Sequence, residues 1–341
     1  MRNITIALDA MGGDRAPDIV INGAALAGKR YPEATFLIFG DQSKIGPLLD
    51  EHPKLQAVSN VVHTEEFVSG DDKPSIAIRQ GRKSSMQLAI NAVKDGEAQC
   101  VVSAGNTGAL MAMSKLTLRT LPGIDRPAIC ALCPTQLGQS AMLDLGANIE
   151  CNANNLLQFG LLGAAYVKSL LGIEAPKVGL LNVGEEEIKG FSYIQNAAET
   201  LKNLSEIINY CGYIEGDRIT EGLVDVIVTD GFTGNIALKT AEGTAGFFTN
   251  SLKEALKKSI FSKLGYFLAK KYLEGFRAHM DPRRYNGAVF LGLNGIVVKS
   301  HGGTDSFGFA NAIGVAYDMA KYNFVEDLKK KLSITTKYLN S

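Results

Sequence analysis

The segment CVVSAGNTGA occupies residues 100–109 and contains the pattern that decides the fold. Cys100 to Ser103 have the apolar character of a buried strand, and a helix is predicted to begin near Thr107. A strand that passes into a helix through a short glycine-bearing turn is typical of a parallel sheet covered by helices. The same arrangement recurs along the chain, so this segment indicates the fold class as well as its own structure.

Strand and helix patterns of the same kind extend on both sides of this segment. Strands are predicted at 4–8, 35–39, 58–62, 141–145, 177–183 and 226–228. Helices are predicted at 17–29, 75–94 and 152–171, and a long helix follows the strand at 226–228. No linker rich in Pro or Ser interrupts the alternation, so residues 1–341 are predicted to form a single α/β domain with a mainly parallel sheet.

Composition and charge narrow the class of protein. Hydrophobic residues make up 46% of the 341 residues, and 35 basic residues balance 35 acidic ones. This balance gives no electrostatic reason to expect nucleic-acid binding. The five cysteines, an odd number, indicate reduced thiols and a cytoplasmic location. We expect no signal peptide and no transmembrane helix, because no uncharged apolar run of about 18 residues occurs.

The first candidate site lies where the first predicted strand ends, in the sequence LDAMGGD at 8–14. In parallel α/β sheets, ligand sites collect beyond the carboxyl ends of the strands. Asp9 ends this strand, and the paired glycines Gly12 and Gly13 would let the backbone approach an anion closely. A tight strand-to-helix turn capped by Asp14 would produce the same pattern.

The second candidate site is the turn inside the opening segment. Gly105 and Asn106 precede the helix predicted from Thr107, and the amide groups and positive dipole end of a helix start suit a phosphate oxygen. Asn106 adds a neutral hydrogen-bond donor, and Thr107 adds a hydroxyl group. An ordinary N-cap at Thr107 would also explain the sequence.

The third candidate site is the sequence NVGEEEIKG at 182–190. Its three glutamates are predicted to stand at a helix start, where they would complement the helix dipole. Lys189 lies beside a glycine and could meet a phosphate or a developing oxyanion. A solvated run of charges would explain the same residues.

The fourth and fifth candidates follow two later strands. In TDGFTGN at 229–235, Asp230 stands at a strand tip, and Gly231 and Asn235 shape the turn into the next helix. His301 opens the fifth segment, although a lone histidine is usually structural. Five glycine-bearing polar strand ends together indicate a cleft that handles phosphate. The chain contains neither a P-loop motif nor a dinucleotide-binding motif after its first strand.

The five segments in series resemble the fatty acyl-ACP:phosphate acyltransferase family. The matching pieces are LDAMGGD at 8–14, SAGNTGA at 103–109, LDLGAN at 143–148, TDGFTGN at 229–235 and HGGTD at 301–305. The resemblance implies a Rossmann-like α/β/α fold related to isopropylmalate dehydrogenase-type and phosphotransacetylase-type enzymes. It also implies a cytoplasmic homodimer, peripherally associated with the membrane, that moves an acyl group from acyl carrier protein to inorganic phosphate for phospholipid synthesis.

Residue roles follow from position and chemistry as hypotheses. The turn at 105–107 would hold phosphate, with Asp9, Gly12, Gly13 and Gly231 also binding substrate. Lys189 would neutralise phosphate or the oxyanion, and Asp230 would position Lys189 or the phosphate proton. Asn235 and His301 are further catalytic candidates. Neither a metal nor another cofactor is expected, and direct transfer is favoured over an acyl-cysteine intermediate.

A basic amphipathic segment at 247–277 is the second region with a predicted function. It contains seven basic residues against two acidic ones in a neutral chain, and Gly265 is expected to break or bend its helix. A core-packed helix pair with a solvated basic face would explain part of this pattern. We favour contact with anionic lipid or with the acidic carrier protein. The residues expected to make it are Lys263, Leu264, Phe267, Lys270 and Lys271.

Two other functions remain open at this point. One is a short-chain phosphotransacetylase that uses acyl-CoA, and comparing acyl-CoA with acyl carrier protein as donor would separate it. The other is a non-catalytic scaffold for lipid-synthesis proteins at the membrane. A scaffold has no need of five polar strand ends, which argues against that function.

Overall fold

The computed structural model describes the backbone of residues 3–279 and 281–339, and their side chains except those of 276–279 and 333–339. Within this part of the chain, eleven strands form one sheet. They are β1 (Ile4–Asp9), β2 (Ala34–Gly40), β3 (Ser59–His63), β4 (Cys100–Ser103), β5 (Ala128–Thr135), β6 (Gly138–Leu143), β7 (Lys177–Leu181), β8 (Asn209–Ile214), β9 (Val226–Val228), β10 (Ala288–Leu291) and β11 (Ile296–Lys299).

Helices cover both faces of the sheet. They are α1 (Asp18–Arg30), α2 (Gln42–Asp50), α3 (Pro53–Gln56), α4 (Pro74–Gln80), α5 (Ser85–Lys94), α6 (Thr107–Leu118), α7 (Ala153–Leu171), α8 (Ser192–Asn203), α9 (Gly231–Lys257), α10 (Ile260–His279), α11 (Ser306–Lys321) and α12 (Phe324–Leu339). One core contains apolar residues of α1, α7, α8, α11 and α12, and the other contains those of α4, α5 and α6. The predicted α/β fold with helices on both sides is therefore confirmed.

The two halves of the sheet run in opposite directions. The strand order is β3-β2-β1-β4-β11-β10-β5-β6-β9-β7-β8. Pairing is parallel from β3 to β11 and again from β6 to β8, whereas β10 is antiparallel to both neighbours and β5 is antiparallel to β6. Consequently β1, β4 and β11 end at one edge of the sheet, while β6, β7 and β9 end at the opposite edge. The five polar strand ends do not share one edge, contrary to the sequence-based expectation.

The helix predicted at 75–94 is two helices. The break between α4 and α5 has a local cause, because the Ser84 hydroxyl donates to the carbonyl of Gly81 and accepts from the Gln87 amide. Ser84 is therefore the N-cap of a new helix, and Gly81 ends the previous one.

The helical hairpin formed by α9 and α10 also differs from the prediction in its point of reversal. The chain turns at Ser259, where the Ser259 hydroxyl accepts from the Ser262 amide and the Ser262 hydroxyl accepts from the Ser259 amide. This reciprocal capping starts α10, and Gly265 lies inside that helix, so of the break or bend expected at Gly265 the break does not occur. No helix in the described part of the chain is long and apolar enough to cross a membrane.

Candidate active site

Asp9 lies at the centre of the edge where β1, β4 and β11 end, which we call the glycine edge. Its side chain is buried, with 1% exposed. One carboxylate oxygen accepts from the Ser85 hydroxyl and the other from the Ser103 hydroxyl, each at 2.6 Å. Burial raises the pKa of Asp9, while the two hydroxyl groups and the positive charge of Lys299 oppose that rise. Asp9 thus joins β1 to β4 and to the first turn of α5.

Gly12 and Gly13, which were both predicted as site residues, allow the backbone to pass close to the Asp9 carboxylate. A Cβ atom on Gly12 would lie 2.5 Å from an Asp9 oxygen and 2.7 Å from the Gly105 amide nitrogen, so no side chain fits there. Gly13 has a φ of +110°, which favours glycine. The next amide, that of Asp14, donates to the Gly302 carbonyl at 3.1 Å and joins this loop to the end of β11.

Asn106, rather than Thr107, is the N-cap of α6. Its side-chain oxygen accepts from the Ala109 amide at 2.9 Å, and its side-chain nitrogen donates to the carbonyls of Gly70 and Asp72 at 2.7 and 3.0 Å. Asn106 therefore fixes the helix start and does not offer the free donor predicted from the sequence. Thr107 is exposed at the first helical position, where the positive end of the helix can meet an anion.

Lys299, the last residue of β11, supplies a cation that the sequence analysis did not select. Its ammonium group donates to the Ala104 carbonyl at 3.2 Å and to the Ser300 carbonyl. Burial lowers the pKa of Lys299 to about 8; Asp9 and Asp14 oppose that shift, and nearby Lys239 adds to it. The only available sequence signal was its place at the end of a predicted strand.

His301 is held at the same edge by the Asn286 side chain and the Gly303 backbone. Its amide donates to the side-chain oxygen of Asn286 at 2.9 Å, and its Nδ1 accepts from the Gly303 amide at 3.1 Å. Because Nδ1 accepts, the neutral ring carries its proton on Nε2. The side chain is exposed, so this N–H group can reach a ligand at the glycine edge.

The opposite edge, where β6, β7 and β9 end, is organised by two aspartates, and we call it the aspartate edge. The first, Asp144, is fully buried, and burial raises its pKa. One of its oxygens accepts from the amides of Ile129 and Ala147, and the other from the amide and side chain of Asn148, at 2.7 to 3.1 Å. Asp144 belongs to the segment LDLGAN at 143–148, and no role for it was predicted from the sequence. Its geometry is that of a loop organiser.

The second aspartate, Asp230, is the N-cap of α9. One oxygen accepts from the Thr233 amide at 2.8 Å, and the other from the Thr233 hydroxyl at 2.9 Å and the Tyr193 hydroxyl at 3.1 Å. Burial and the neighbouring Asp230 charge raise the pKa of Tyr193 to about 12. Both Asp230 oxygens are thus engaged by these groups.

The predicted turn residues after Asp230 pack against the loop of Asp144. The Gly231 amide donates to the Asn148 carbonyl at 2.8 Å. A Cβ atom on Gly234 would lie 1.9 Å from the Asp144 carbonyl oxygen, so only glycine fits. The Asn235 side chain covers Gly146, whose Cβ position would be 2.8 Å from the side-chain nitrogen Nδ2 of Asn235. These contacts fix where α9 begins.

Lys189 lies in the loop after β7, at the aspartate edge. Its side chain is exposed, and its carbonyl accepts from the Asn182 side chain at 3.1 Å. The glutamates at 185–187 precede the first helical residue, Ser192, so their predicted place in a helix start is wrong. Glu185 pairs with Arg218 and Glu187 with Lys202 instead.

The structure therefore divides the predicted residues into two groups. The glycine edge holds Asp9, Gly12, Gly13, Gly105, Asn106, Thr107 and His301, and the aspartate edge holds Lys189, Asp230, Gly231 and Asn235. Helix α9 connects the two groups. Its N-cap is Asp230 at the aspartate edge, and nine residues further along the helix the positive charge of Lys239 helps to lower the pKa of Lys299 at the glycine edge. Nine helical residues span about 14 Å.

The glycine edge has the features of an anion site. Bare glycine backbone, a helix start and the half-buried Lys299 with its ammonium group meet there, and all three favour negative charge. Within the residues that the structure describes, no group of three or more His, Cys, Asp or Glu side chains is arranged to hold a metal ion.

Comparison with known proteins identifies relatives along nearly the whole chain. A family model described as "Fatty acid synthesis protein" matches residues 4–327. A phosphate acyltransferase of Rhodospirillum centenum is 58% identical over 328 residues, covering 96% of this chain and 92% of its own. The phosphate acyltransferase of Paramagnetospirillum magneticum is 54% identical over 328 residues, covering 96% and 93% of the two chains.

Solved structures share the fold at low sequence identity. A phosphotransacetylase from Streptococcus pyogenes superposes with a TM-score of 0.65 at 18% identity, covering 93% of this chain and 94% of its own. A 4-hydroxythreonine-4-phosphate dehydrogenase from Klebsiella pneumoniae gives a TM-score of 0.54 at 14% identity, covering 94% and 100%. The expected likeness to the phosphotransacetylase fold is confirmed.

Proposed function

The chain belongs to the fatty acid synthesis protein family, and from this membership we propose that it transfers a fatty acyl group from acyl carrier protein to inorganic phosphate. It is an acyltransferase of lipid biosynthesis, and its curated relatives are phosphate acyltransferases. The product would be an acyl phosphate for phospholipid synthesis. The observation that carries the phosphate half of the proposal is the ammonium group of the half-buried Lys299 beside the glycine turns and the start of α6.

In the proposed reaction, a phosphate oxygen attacks the thioester carbonyl carbon. The carbon–sulfur bond then breaks, and the pantetheine sulfur leaves as a thiolate. A thiol has a pKa of roughly 8.5, so the leaving group needs little help from an acid near neutral pH. The main requirement is to hold an anionic nucleophile against a carbonyl that becomes an oxyanion, which positive charge and backbone amides can meet.

We propose that Lys299 holds the phosphate at the glycine edge, with the Nε2–H group of His301 as a further donor. Lys189 would act from the aspartate edge by meeting negative charge on the reacting group or on the donor. Asp230 would fix the start of α9 and the Tyr193 hydroxyl through the hydrogen bonds described above. Asn235 would support the same turn through its contact with Gly146.

Direct transfer is favoured over an acyl-cysteine intermediate. Burial raises the pKa of the Cys100 and Cys130 thiols, and it raises that of Cys133 to about 11 and that of Cys151 to about 12. A thiol with such a raised pKa is a poor nucleophile near neutral pH because so little thiolate is present. Trapping a labelled acyl-enzyme in the absence of phosphate would overturn direct transfer.

A homodimer and a peripheral membrane contact belong to the same proposal. At the aspartate edge, Val183, Ile188, Phe191 and Phe232 are 79, 83, 70 and 59% exposed, an apolar surface that a second copy could cover. On the hairpin, Leu264 and Phe267 are 58 and 72% exposed beside Lys263, Lys270 and Lys271. Such a basic and apolar surface suits an anionic bilayer, and we propose a cytoplasmic enzyme that binds the membrane there.

The function is tested by measuring thiol release from long-chain acyl-ACP with and without inorganic phosphate. We expect release that depends on phosphate and yields acyl phosphate. A clear preference for a short-chain acyl-CoA would instead assign the chain to short-chain phosphotransacetylase activity. If no acyl donor supports phosphate-dependent release, the non-catalytic scaffold is favoured.

A further inference from the structure

Helices α4, α5 and α6 form a strongly basic side of a chain whose net charge is zero. Residues 73–94 contain five cations and no acidic residue, and residues 98–124 contain two cations and no acidic residue. Helices α4 and α5 both pack against α6, so these cations belong to one side of the molecule. We call this side the basic face, and it consists of Lys73, Arg79, Arg82, Lys83, Lys94, Lys115 and Arg119.

The cations of the basic face are available to a partner. All seven are exposed, and none of them forms an ion pair within the described side chains. The loops that flank these helices carry Glu65, Glu66, Asp71, Asp72, Asp95 and Glu97, and none of these six forms an ion pair with a cation of the basic face within the described side chains. Seven unpaired charges of one sign attract an anionic partner over a distance set by the salt concentration.

Two hydrogen bonds attach the basic face to the glycine edge. The Ser85 hydroxyl at the start of α5 donates to Asp9 at 2.6 Å. The Asn106 side chain at the start of α6 donates to the Gly70 carbonyl at 2.7 Å, which holds the loop that leads into α4. A partner on the basic face would therefore lie beside the proposed phosphate site.

We infer that the basic face docks an acidic acyl carrier protein, an inference that rests on the proposed function. A carrier that presents a thioester on a flexible arm must bind close enough for the arm to enter the site. The basic face borders that site, and its charge is complementary to an acidic protein surface. Exposed Leu116 and Phe67, 62 and 55% exposed, add apolar contacts of the kind found within protein interfaces.

The amount of exposed apolar surface separates this face from the proposed membrane contact. Interfacial membrane binding needs a broad apolar surface to insert as well as positive charge. The hairpin has such a surface, with Phe247, Phe248, Ile260, Phe261, Leu264, Phe267, Leu268 and Tyr272 all more than half exposed. The basic face exposes two large apolar side chains, which fits a folded acidic protein rather than a bilayer.

The experiment compares two sets of charge reversals. Arg79→Glu, Arg82→Glu and Lys83→Glu are combined on the basic face, and Lys263→Glu, Lys270→Glu and Lys271→Glu form the matched control on α10. All six residues are exposed, and none belongs to the proposed phosphate site. Each protein is assayed with acyl-ACP and with an acyl-pantetheine thioester that lacks the carrier protein.

For the basic-face variant, we expect the KM for acyl-ACP to rise on the order of tenfold, while kinetics with acyl-pantetheine stay unchanged. Added salt should raise the KM of the wild type for acyl-ACP and affect the variant much less. An equal loss with both donors, or a raised KM in the α10 control alone, would overturn the inference. The inference would also be overturned if the basic-face variant lost binding to anionic vesicles and kept unchanged kinetics with acyl-ACP. If the wild type shows no phosphate-dependent thiol release from either donor, the proposed function itself fails.

Discussion

The ammonium group of Lys299 lies 3.2 Å from the carbonyl oxygen of Ala104, which links the end of β11 to the turn after β4. This contact places a half-buried positive charge beside the glycines of the proposed phosphate site. The ammonium group donates to two carbonyls, so it retains a third proton for a bound anion. Its binding role can therefore be tested separately from its role in joining the two strands.

Replacement of Lys299 by Met should weaken phosphate binding more than it affects the acyl donor. Loss of one charge-assisted contact costs about 2 kcal/mol, which corresponds to a rise in the KM for phosphate of about thirtyfold. Steady-state kinetics with phosphate varied at saturating acyl-ACP measure this value. The conservative variant Lys299→Arg should retain most of the affinity. If both substrates lose affinity equally, Lys299 acts through the fold and not through phosphate.

The pH dependence of phosphate binding should reflect the same residue. Burial lowers the pKa of Lys299 to about 8, so its positive charge is present below that pH and is lost as the pH rises through it. The KM for phosphate should accordingly increase above pH 8. Arginine keeps its charge over this range, so the increase should be absent in Lys299→Arg. An identical pH profile in that variant would assign the effect to another group.

The strands and helices that could be predicted from sequence are those whose signal is local. Apolar runs such as 100–103 are continuous because both faces of a parallel strand are buried, and they marked most strands of the sheet. Strands β5, β8 and β10 were not predicted from the sequence. Strand β10 has four residues, and β5 contains Pro134 and is only partly buried. Residues 128–133 of β5 and 288–291 of β10 are nevertheless apolar runs as long as the one at 100–103, so both strands carried a local signal that was missed.

The opposite direction of the two halves of the sheet could not be predicted, because it is not a local property of the sequence. It depends on the pairing of β10 with β5, residues far apart in sequence, and pairing direction leaves no periodicity to detect. Prediction of the candidate site was limited by long-range contacts as well. Lys299 ends its strand with a charged side chain, and its environment depends on residues far away in sequence, namely the Ala104 carbonyl and the charges of Asp9, Asp14 and Lys239. Local glycine turns were found, whereas the cation between them was not.

The substitution Gly12→Ala should remove phosphate binding through the backbone. Its methyl group would lie 2.5 Å from an Asp9 oxygen and 2.7 Å from the Gly105 amide, so the loop must move. We expect loss of activity and a decrease of about 1–3 kcal/mol in the free energy of unfolding. Gly28→Ala in the last turn of α1 is the control, because its Cβ would meet only a Phe36 ring carbon at 3.8 Å, an ordinary contact. That change should raise stability by about 0.5–1 kcal/mol and leave kinetics unchanged.

The double substitution Leu264→Glu and Phe267→Glu should abolish binding to anionic liposomes. Both side chains are more than half exposed, so folding should be unaffected while the apolar surface of α10 gains negative charge. Co-sedimentation with anionic vesicles measures binding, and a thermal melt checks the fold. Leu137→Glu, which changes a side chain that is 77% exposed on the turn between β5 and β6, is the control. Liposome binding equal to that of the wild type would place the membrane contact elsewhere.

Replacement of Lys189 by Ala should lower turnover while leaving the fold intact. Lys189 is exposed at the aspartate edge, and its ammonium group forms no ion pair within the described side chains. Removal of a cation that stabilises developing charge typically lowers kcat on the order of a hundredfold. Lys54→Ala, at an equally exposed lysine on α3, should leave kcat unchanged. If Lys189→Ala is folded and as active as Lys54→Ala, the reaction takes place with residues of the glycine edge alone.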